Sequence, residues 1–304
     1  MAVQVFDHTT PTAGGARGRR LGRRAAMLAA IAAIAAALPL TAAAPAGAIQ
    51  GLDVYWSDTA QPSHQPTQFA HADCPSGKHV VGGGGDVIGR SDVRLTRLFP
   101  AEGSPDHFQV IAQAPNVSPS GNPWTVDARA ICADRAPLDA RHYRIVEDPD
   151  ERINTSAQFQ QTHARCPAGT VAYSAGADIQ SPNGRVGLQL NRTSGPQDIS
   201  RATAREDTGY PGSWEVRSYA VCADPSGLGM HFEDTITPGP YAEHRCGGNY
   251  QLHGAGGGGG LDDGGTSWLT RLEPDLIHKT VQVEMTGPLL PSIGGMVAHA
   301  ICAL

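Results

Sequence analysis

Three histidines occupy similar places in this 304-residue chain, each shortly before a cysteine. His71 and His163 precede Cys74 and Cys166 by three residues, and His244 precedes the next repeat's cysteine by two. If equivalent residues of a threefold arrangement converged, three imidazoles would form a metal site, for example Zn²⁺ with an open fourth position. The alternative is that they are separate edge or turn histidines. No H-E-x-x-H or C-x-x-C motif supports a metal, so its identity stays unassigned.

Carboxylates also recur. Asp86 and Asp178 each lie twelve residues after the cysteine that opens their segment, and Asp262 and Asp263 lie near the corresponding place further on. Paired carboxylates can act as the acid and base of a glycoside hydrolase, and oxygen ligands in a Gly-Asp loop can bind Ca²⁺. The alternative is turn chemistry, because Asp and Gly after a strand favour tight turns. Repetition favours this last interpretation, since a repeated feature usually serves the fold.

Motifs for other chemistry are missing. The chain contains no G-x-S-x-G nucleophile motif. The glycine run Gly254–Gly265 lacks the Lys-Ser/Thr of a phosphate loop, and we predict no cofactor. Trp124 and Trp214 are expected to face inward, which leaves Trp56 and Trp268 as candidates for sugar contacts. Whether the chain is an enzyme stays open, with a non-enzymatic role favoured.

The elements that position these residues come from a threefold repeat. The six cysteines alternate between long separations of 56 to 58 residues and shorter ones. Each repeat opens at a cysteine and ends on a strand of the type WTVDARAICA, WEVRSYAVCA or GGMVAHAICA. We therefore predict one disulfide per repeat, and the predicted pairs are Cys74–Cys132, Cys166–Cys222 and Cys246–Cys302.

The closing strand has a clear period of two, with Trp124, Val126 and Cys132 on one face in the first copy. At least four short strands are predicted per repeat. A bridge between the first and fourth is easiest if they are neighbours, as in a Greek key. The predicted fold is all-β, with three pseudo-repeated antiparallel Greek-key sheets in a β-prism-like domain. A β-trefoil or three tandem sandwiches are the alternatives.

The N-terminal segment predicts export. Five arginines between residues 17 and 24 precede the apolar stretch Ala25–Leu40, and Ala46-Gly47-Ala48 is a small-residue cleavage site. Residues 1–48 are therefore predicted to be a signal peptide. The paired arginines also allow the twin-arginine route. Cleavage removes five Arg and one Asp and changes the formal net charge from −6 to −10. A chain this acidic is not expected to bind nucleic acid, and no membrane span is expected after cleavage. The β-repeats are then residues 49–135, 136–225 and 226–304.

The repeat pattern resembles exported actinobacterial proteins with Cys-Pro-x-Gly, a Gly triplet, Leu-Thr-x-Leu-x-Pro and Trp-x-Val-x-Ala-x-Ala-Ile-Cys-Ala. The residues here that carry it are Cys74-Pro75, Gly77, Gly82–Gly84, Leu95–Leu98 and Trp124–Ala133. It covers nearly all of residues 50–304 and implies no particular activity. In layout the chain is also similar to vitelline membrane outer layer protein I, and this similarity implies the β-prism architecture and no functional residue.

We expect an exported, non-enzymatic protein that binds a cell surface, a polysaccharide or an extracellular protein. Its binding residues are expected in long loops on a rigid scaffold, at residues 103–123, 194–212 and 287–295. The alternatives are a secreted carbohydrate-active hydrolase that uses loop carboxylates, and an inhibitor or defence protein.

Overall fold

The computed structural model describes the repeat region with short gaps. The described residues are 49–58, 61–116, 121–148, 154–180, 184–195, 198–259, 267–287 and 295–304. The predicted signal peptide, residues 1–48, lies outside these ranges, and so do Asp262 and Asp263.

The described residues form eighteen strands and one short helix, with six strands in each repeat. The first repeat contains β1 (Asp53–Asp58), β2 (Thr67–Asp73), β3 (Lys78–Ile88), β4 (Arg94–Ala101), β5 (His107–Gln113) and β6 (Thr125–Asp134), followed by α1 (Arg135–Asp139). The second contains β7 (Arg144–Glu147), β8 (Phe159–Arg165), β9 (Val171–Gln180), β10 (Val186–Ser194), β11 (Ile199–Glu206) and β12 (Glu215–Ala223). The third contains β13 (His231–Thr237), β14 (Tyr241–Arg245), β15 (Gln251–Gly259), β16 (Trp268–Asp275), β17 (Thr280–Thr286) and β18 (Met296–Ala303).

These strands form three antiparallel sheets, as the sequence predicted, and each sheet has six strands. Sheet A has the order β1-β6-β3-β16-β17-β14, sheet B the order β13-β18-β15-β10-β11-β8, and sheet C the order β2-β5-β4-β9-β12-β7. Each sheet takes three strands from each of two repeats. In a simple threefold prism, by contrast, each repeat would form one sheet by itself. The repeats are therefore joined by continuous hydrogen-bonded sheets.

The disulfides have the predicted pairing and a consequence that the sequence did not reveal. Cys74–Cys132, Cys166–Cys222 and Cys246–Cys302 are all formed. In each repeat the strand after the first cysteine pairs with the strand that carries the second, as the Greek-key argument required. However, Cys74 follows β2 of sheet C, whereas Cys132 lies in β6 of sheet A. Each disulfide therefore links two different sheets.

Alternation of side chains explains why these segments form strands over a core. Trp124, just before β6, and the alternate residues Val126, Ala128 and Ala130 of that strand are fully buried in one large apolar cluster. That cluster also contains Phe108 and residues from all three repeats. Small side chains are the most common in this cluster, so the strands pack closely. Glycine occupies positions where two strands approach each other.

The seams where two repeats join within a sheet are short. Strands β3 and β16 share only two residue pairs, and so do β4 with β9 and β10 with β15. Since few backbone pairs cross each seam, side chains next to it contribute much of the connection. Within the described residues, no helix is long and apolar enough to cross a membrane.

Candidate functional site

A cleft of about 540 Å³ lies on sheet B. It opens on the face opposite the main core, because Ala298 and Ala300 of β18 point into that core and His299 alternates with them. The end of β10, the start of β13 and β18 supply its walls. The lining residues are Arg192, Thr193, Ser194, Gly195, Met230, His231, Phe232, Asp234 and His299.

A hydrogen-bonded chain of three side chains runs along this cleft. Asp234 Oδ1 lies 2.5 Å from His299 Nδ1, and His299 Nε2 lies 2.9 Å from Thr193 Oγ1. An ionised carboxylate can only accept, so Nδ1 carries the proton that it donates to Asp234. In the neutral imidazole, Nε2 is then the acceptor for the Thr193 hydroxyl. The arrangement is a carboxylate, an imidazole and a hydroxyl in series.

The strand pairing places these three residues together. Asp234 of β13 stands directly opposite His299 of β18, and His299 in turn pairs with Gly256 of β15. A Cβ on Gly256 would lie 2.8 Å from Cα of Arg192, so the missing side chain lets β10 approach β15. This close approach brings Thr193 within reach of the imidazole.

Charge and burial determine the ionisation of Asp234 and the orientation of His299. The hydrogen bond from His299 is the main cause that lowers the pKa of Asp234, while partial burial acts in the opposite direction. Arg192 Nη1 lies 3.4 Å from Asp234 Oδ2 and lowers this pKa further. Asp234 is therefore ionised at neutral pH. The His299 side chain is only 4% exposed, so its ring is held between its two partners and not by solvent.

One wall of the cleft is apolar. The ring centroids of Phe232 and His299 are 6.3 Å apart, with an angle of 21° between the planes. A Cβ on Gly195 would lie 2.2 Å from Phe232 Cδ2, so glycine is needed for the end of β10 to rest against this ring. Beside it, the His231 ring packs edge-on against Tyr250 at 4.7 Å. The cleft thus combines an aromatic wall with charged and hydroxyl groups.

The corresponding place on sheet A carries other residues. There Arg129 occupies the position of His299, opposite Trp56 of β1. Arg129, which pairs with Gly84 of β3, reaches across the seam to Glu273 of β16, at 2.5 Å. Sheet A therefore has the same backbone arrangement without the hydrogen-bonded chain.

Sheet C also differs at this place. Tyr219 stands in the position of His299, opposite Glu147 of β7. Its ring packs edge-on against Phe99 with centroids 4.6 Å apart. The glycine beneath is again present, because a Cβ on Gly176 would lie 2.5 Å from Pro100 Cδ. Glycine is thus common to all three sheets and serves the fold, whereas the Asp-His-Thr chain occurs in sheet B alone among these three equivalent places.

The three candidate metal histidines are separated by the fold. His71 lies on β2, His163 on β8 and His244 on β14, which are outer strands of three different sheets. His71 is 3.9 Å from Asp73, His163 lies within hydrogen-bond distance of Gln161, and His244 Nε2 is 2.8 Å from Glu233. The structure does not bring the three imidazoles together, because each belongs to a separate sheet edge.

The described residues contain one group with metal-ligand spacing, formed by Glu233, His244 and Cys302. The sulfur of Cys302 is bonded to Cys246 in a disulfide. It cannot supply the thiolate that a metal would require. The group therefore gives no support to a metal centre.

The recurring aspartates stabilise the seams. Asp86 lies within β3 and Asp178 within β9, and neither is in a turn. Arg271 Nη2 lies 2.7 Å from Asp86, and Arg97 contacts both oxygens of Asp178 at 2.7 and 2.9 Å. These buried carboxylates are held by arginines from the neighbouring repeat. In sheet B the same two positions are Leu190 and Gly258.

Asp127 is a further carboxylate near one seam. Burial is the main cause that raises its pKa to about 6, and Arg129 opposes the shift. Its Oδ1 accepts the backbone N–H of Asp86 at 2.6 Å, where the β3–β6 ladder is interrupted. Asp127 thus replaces a missing backbone acceptor.

The tryptophans are distributed largely as expected. Trp124 and Trp214 are fully buried, and Trp56 is 71% exposed. Trp268, expected to be available for sugars, is only 8% exposed because the Arg94 guanidinium lies 3.6 Å above its ring. That expectation was wrong for Trp268, since the ring forms part of the contact between β16 and β4.

A second cleft, of about 460 Å³, lies in the first repeat beside Lys78, Arg135 and the turn Pro75–Gly77. Both cations already have carboxylate partners. Lys78 Nζ is 3.2 Å from Asp134, and Arg135 Nη2 is 3.3 Å from Asp106. Its lining residues also include no imidazole, so it has no hydrogen-bonded chain like that of the sheet B cleft.

Sequence reasoning missed Thr193, Asp234 and His299. One signal was available: in the aligned closing strands, His299 stands where the other copies have Arg129 and Tyr219. Nothing in the sequence linked this histidine to Thr193 or to Asp234, which lie 106 and 65 residues earlier.

The chain was also compared with known proteins. No protein-family model matches it, and a search of curated proteins gives no significant match. The geometry of the site is therefore the basis for any functional assignment.

Proposed function

We propose that this chain is an exported β-repeat protein that binds a saccharide in the cleft of sheet B. The observation that carries the proposal is the set of residues in this cleft, an Asp-His-Thr chain beside an aromatic wall, which the equivalent places of sheets A and C lack. The fold is satisfied by an Arg–Glu pair on sheet A and a Tyr–Phe pair on sheet C. The shared backbone therefore does not dictate which residues stand at this place on sheet B, and a binding function gives a reason for the ones present.

The chemistry of the walls favours a saccharide. Asp234, Arg192 and Ser194 supply acceptors and donors that match sugar hydroxyls, and the ring of Phe232 supplies an apolar surface. The walls come from strands joined by hydrogen bonds, so little conformational entropy is lost when a ligand binds. A cleft of about 540 Å³ has room for a small oligosaccharide segment.

Export is supported by the N-terminal sequence and by the covalent structure. The arginine-rich start, the apolar stretch and the A-x-A site have the order of a signal peptide. The three disulfides link all three sheets and are typical of oxidising compartments. An exported protein of this kind would meet cell-surface and environmental polysaccharides.

A glycan array with protein expressed from the full-length sequence and purified from culture medium tests this proposal. Phe232→Ala and Arg192→Gln are expected to weaken binding to the selected glycan by at least about tenfold, the effect of losing one good contact. Trp56→Ala, which removes an exposed aromatic residue on sheet A, is the matched control and should bind normally.

The proposal fails if no glycan binds, or if binding is lost in the Trp56 variant and kept in both cleft variants. Capture of an extracellular protein by the same purified sample, together with a negative glycan array, would favour the inhibitor or partner-binding alternative.

A further inference from the structure

We propose that Thr193, His299 and Asp234 form an acyl-transfer triad that hydrolyses an ester held in the sheet B cleft. Only the identification of the substrate as an acylated saccharide depends on the function proposed above. The chemistry itself follows from the three side chains and can be tested with a simple ester.

The geometry fits the division of roles in a triad. His299 Nε2 is 2.9 Å from Thr193 Oγ1, which is within the distance a general base needs to remove the hydroxyl proton. Asp234 Oδ1 is 2.5 Å from Nδ1 and fixes the tautomer that leaves Nε2 free to accept. In this scheme Asp234 contacts the imidazole and, through Oδ2, Arg192, but not the substrate, and it is therefore a positioning residue.

The proposed reaction needs no cofactor. Thr193 Oγ1 attacks the ester carbonyl carbon while its proton passes to His299 Nε2, and the carbonyl oxygen becomes an oxyanion. When the C–O bond to the alcohol breaks, the imidazolium gives this proton to the leaving oxygen. Water then attacks the acyl-threonine in the same way, and the products are a carboxylic acid, an alcohol and the free enzyme.

The cleft also supplies a group for the developing negative charge. Arg192 precedes Thr193 in the chain and lines the same cleft. Its guanidinium is the permanently charged cation among the lining residues, and such donors stabilise an oxyanion most effectively when water is excluded. Thr193 is only 2% exposed, so the reacting carbonyl must enter the cleft to reach the hydroxyl.

The equivalent positions argue against a purely structural role. In sheet A the three positions are Pro274, Arg129 and Trp56, and no hydroxyl or imidazole is present. In sheet C they are Pro100, Tyr219 and Glu147, which likewise cannot form the chain. Both sheets have the same topology as sheet B. The backbone therefore does not require an Asp-His-Thr chain at this place.

Hydrolysis of p-nitrophenyl acetate and of an O-acetylated polysaccharide provides the test, with protein expressed from the full-length sequence. Thr193→Ala removes the nucleophile and His299→Gln removes the general base, which alone contributes a factor of about 100 or more. Each is therefore expected to lower kcat by about 100-fold or more, with KM little changed. Thr193→Ser should retain activity, since it keeps the hydroxyl. An organophosphonate ester should label Thr193 in the wild-type protein, as read by peptide mass spectrometry.

The positioning role of Asp234 has its own readout. Asp234→Asn is expected to lower kcat and to change the pH dependence of the rate, because the amide no longer fixes the tautomer of His299. Thr203→Ala removes another buried threonine of sheet B and is the matched control. It should leave the rate unchanged.

The proposal is overturned if wild-type protein hydrolyses neither ester faster than Thr193→Ala, or if the phosphonate labels a different residue. Circular dichroism and the melting temperature of each variant identify a variant that fails to fold, and the labelling experiment on wild-type protein does not depend on any variant. Saccharide binding without ester hydrolysis would overturn the triad and leave the proposed function standing. Hydrolysis of the simple ester without saccharide binding would support the triad and overturn the proposed saccharide-binding function.

Discussion

Replacement of Gly84 by alanine tests how tightly the repeats are joined. A methyl group at this position would lie 1.8 Å from the carbonyl oxygen of Leu272 and 2.9 Å from Pro274 Cδ. Ordinary van der Waals contact begins near 3.4 Å, so β3 and β16 would have to separate by roughly 1.6 Å. Only two residue pairs connect these strands, and the obstructing atom belongs to the backbone. The strain cannot be relieved by a change of rotamer.

Overpacking of this kind costs up to about 3 kcal/mol, and the lower entropy of an unfolded chain with alanine offsets about 0.4–1 kcal/mol. We therefore expect Gly84→Ala to lower the free energy of unfolding by about 2–2.6 kcal/mol. In a domain of this size, that corresponds to a fall in the melting temperature of roughly 5–10 °C. Urea unfolding and calorimetry of the oxidised protein measure both quantities.

Gly247→Ala is the matched control, because nothing lies within 4 Å of the position its Cβ would take. Its stability should equal that of the wild type or exceed it slightly. If Gly84→Ala unfolds within about 0.5 kcal/mol of the wild type, the argument from close approach at the seam is refuted.

Three further predictions concern the carboxylates and the disulfides. Arg97→Leu should destabilise the protein by about 2–3 kcal/mol in urea unfolding, because Asp178 is left buried without its arginine partner. Adding Asp178→Gly, which recreates the apolar pair of sheet B, should recover part of this loss, and no recovery would contradict the account. Asp127 has a pKa raised to about 6 in the folded state, so its contribution to stability is present at acidic pH and is lost as the pH rises from about 4 to 6. Asp127→Asn should remove this component from the pH dependence of the free energy of unfolding, and an unchanged profile would refute the assignment. Replacing Cys166 and Cys222 together by serine should lower the free energy of unfolding by about 4 kcal/mol, as expected for opening a loop of 56 residues. A loss below about 1 kcal/mol would show that the disulfide adds little constraint.

Much of the fold could be predicted because the sequence repeats itself. The period of two in the closing strands identified their buried face, and the recurring cysteines selected one pairing out of fifteen. The pairing of β3 with β6, the first and fourth strands counted from Cys74, followed from the need to bring Cys74 close to Cys132. Each of these inferences uses residues within one repeat, where local pattern and chain distance carry the information.

The site could not be predicted in the same way. Asp234 and His299 are 65 residues apart, and Thr193 lies in a different repeat. Their meeting depends on the seam between β10 and β15, which consists of two residue pairs and has no alternation pattern of its own. The aspartates that the sequence singled out, Asp86 and Asp178, are in fact part of such seams.

The sequence by itself determined three disulfide-closed repeats of short strands with one apolar face each, because periodicity and cysteine spacing are properties of the chain alone. Only the tertiary structure decided that every sheet is shared between two repeats, since hydrogen bonds between backbones do not depend on which side chains they carry. The same sharing separates His71, His163 and His244 onto three sheet edges. It also brings Thr193 of the second repeat to Asp234 and His299 of the third, because glycine at position 256 lets the two strands approach.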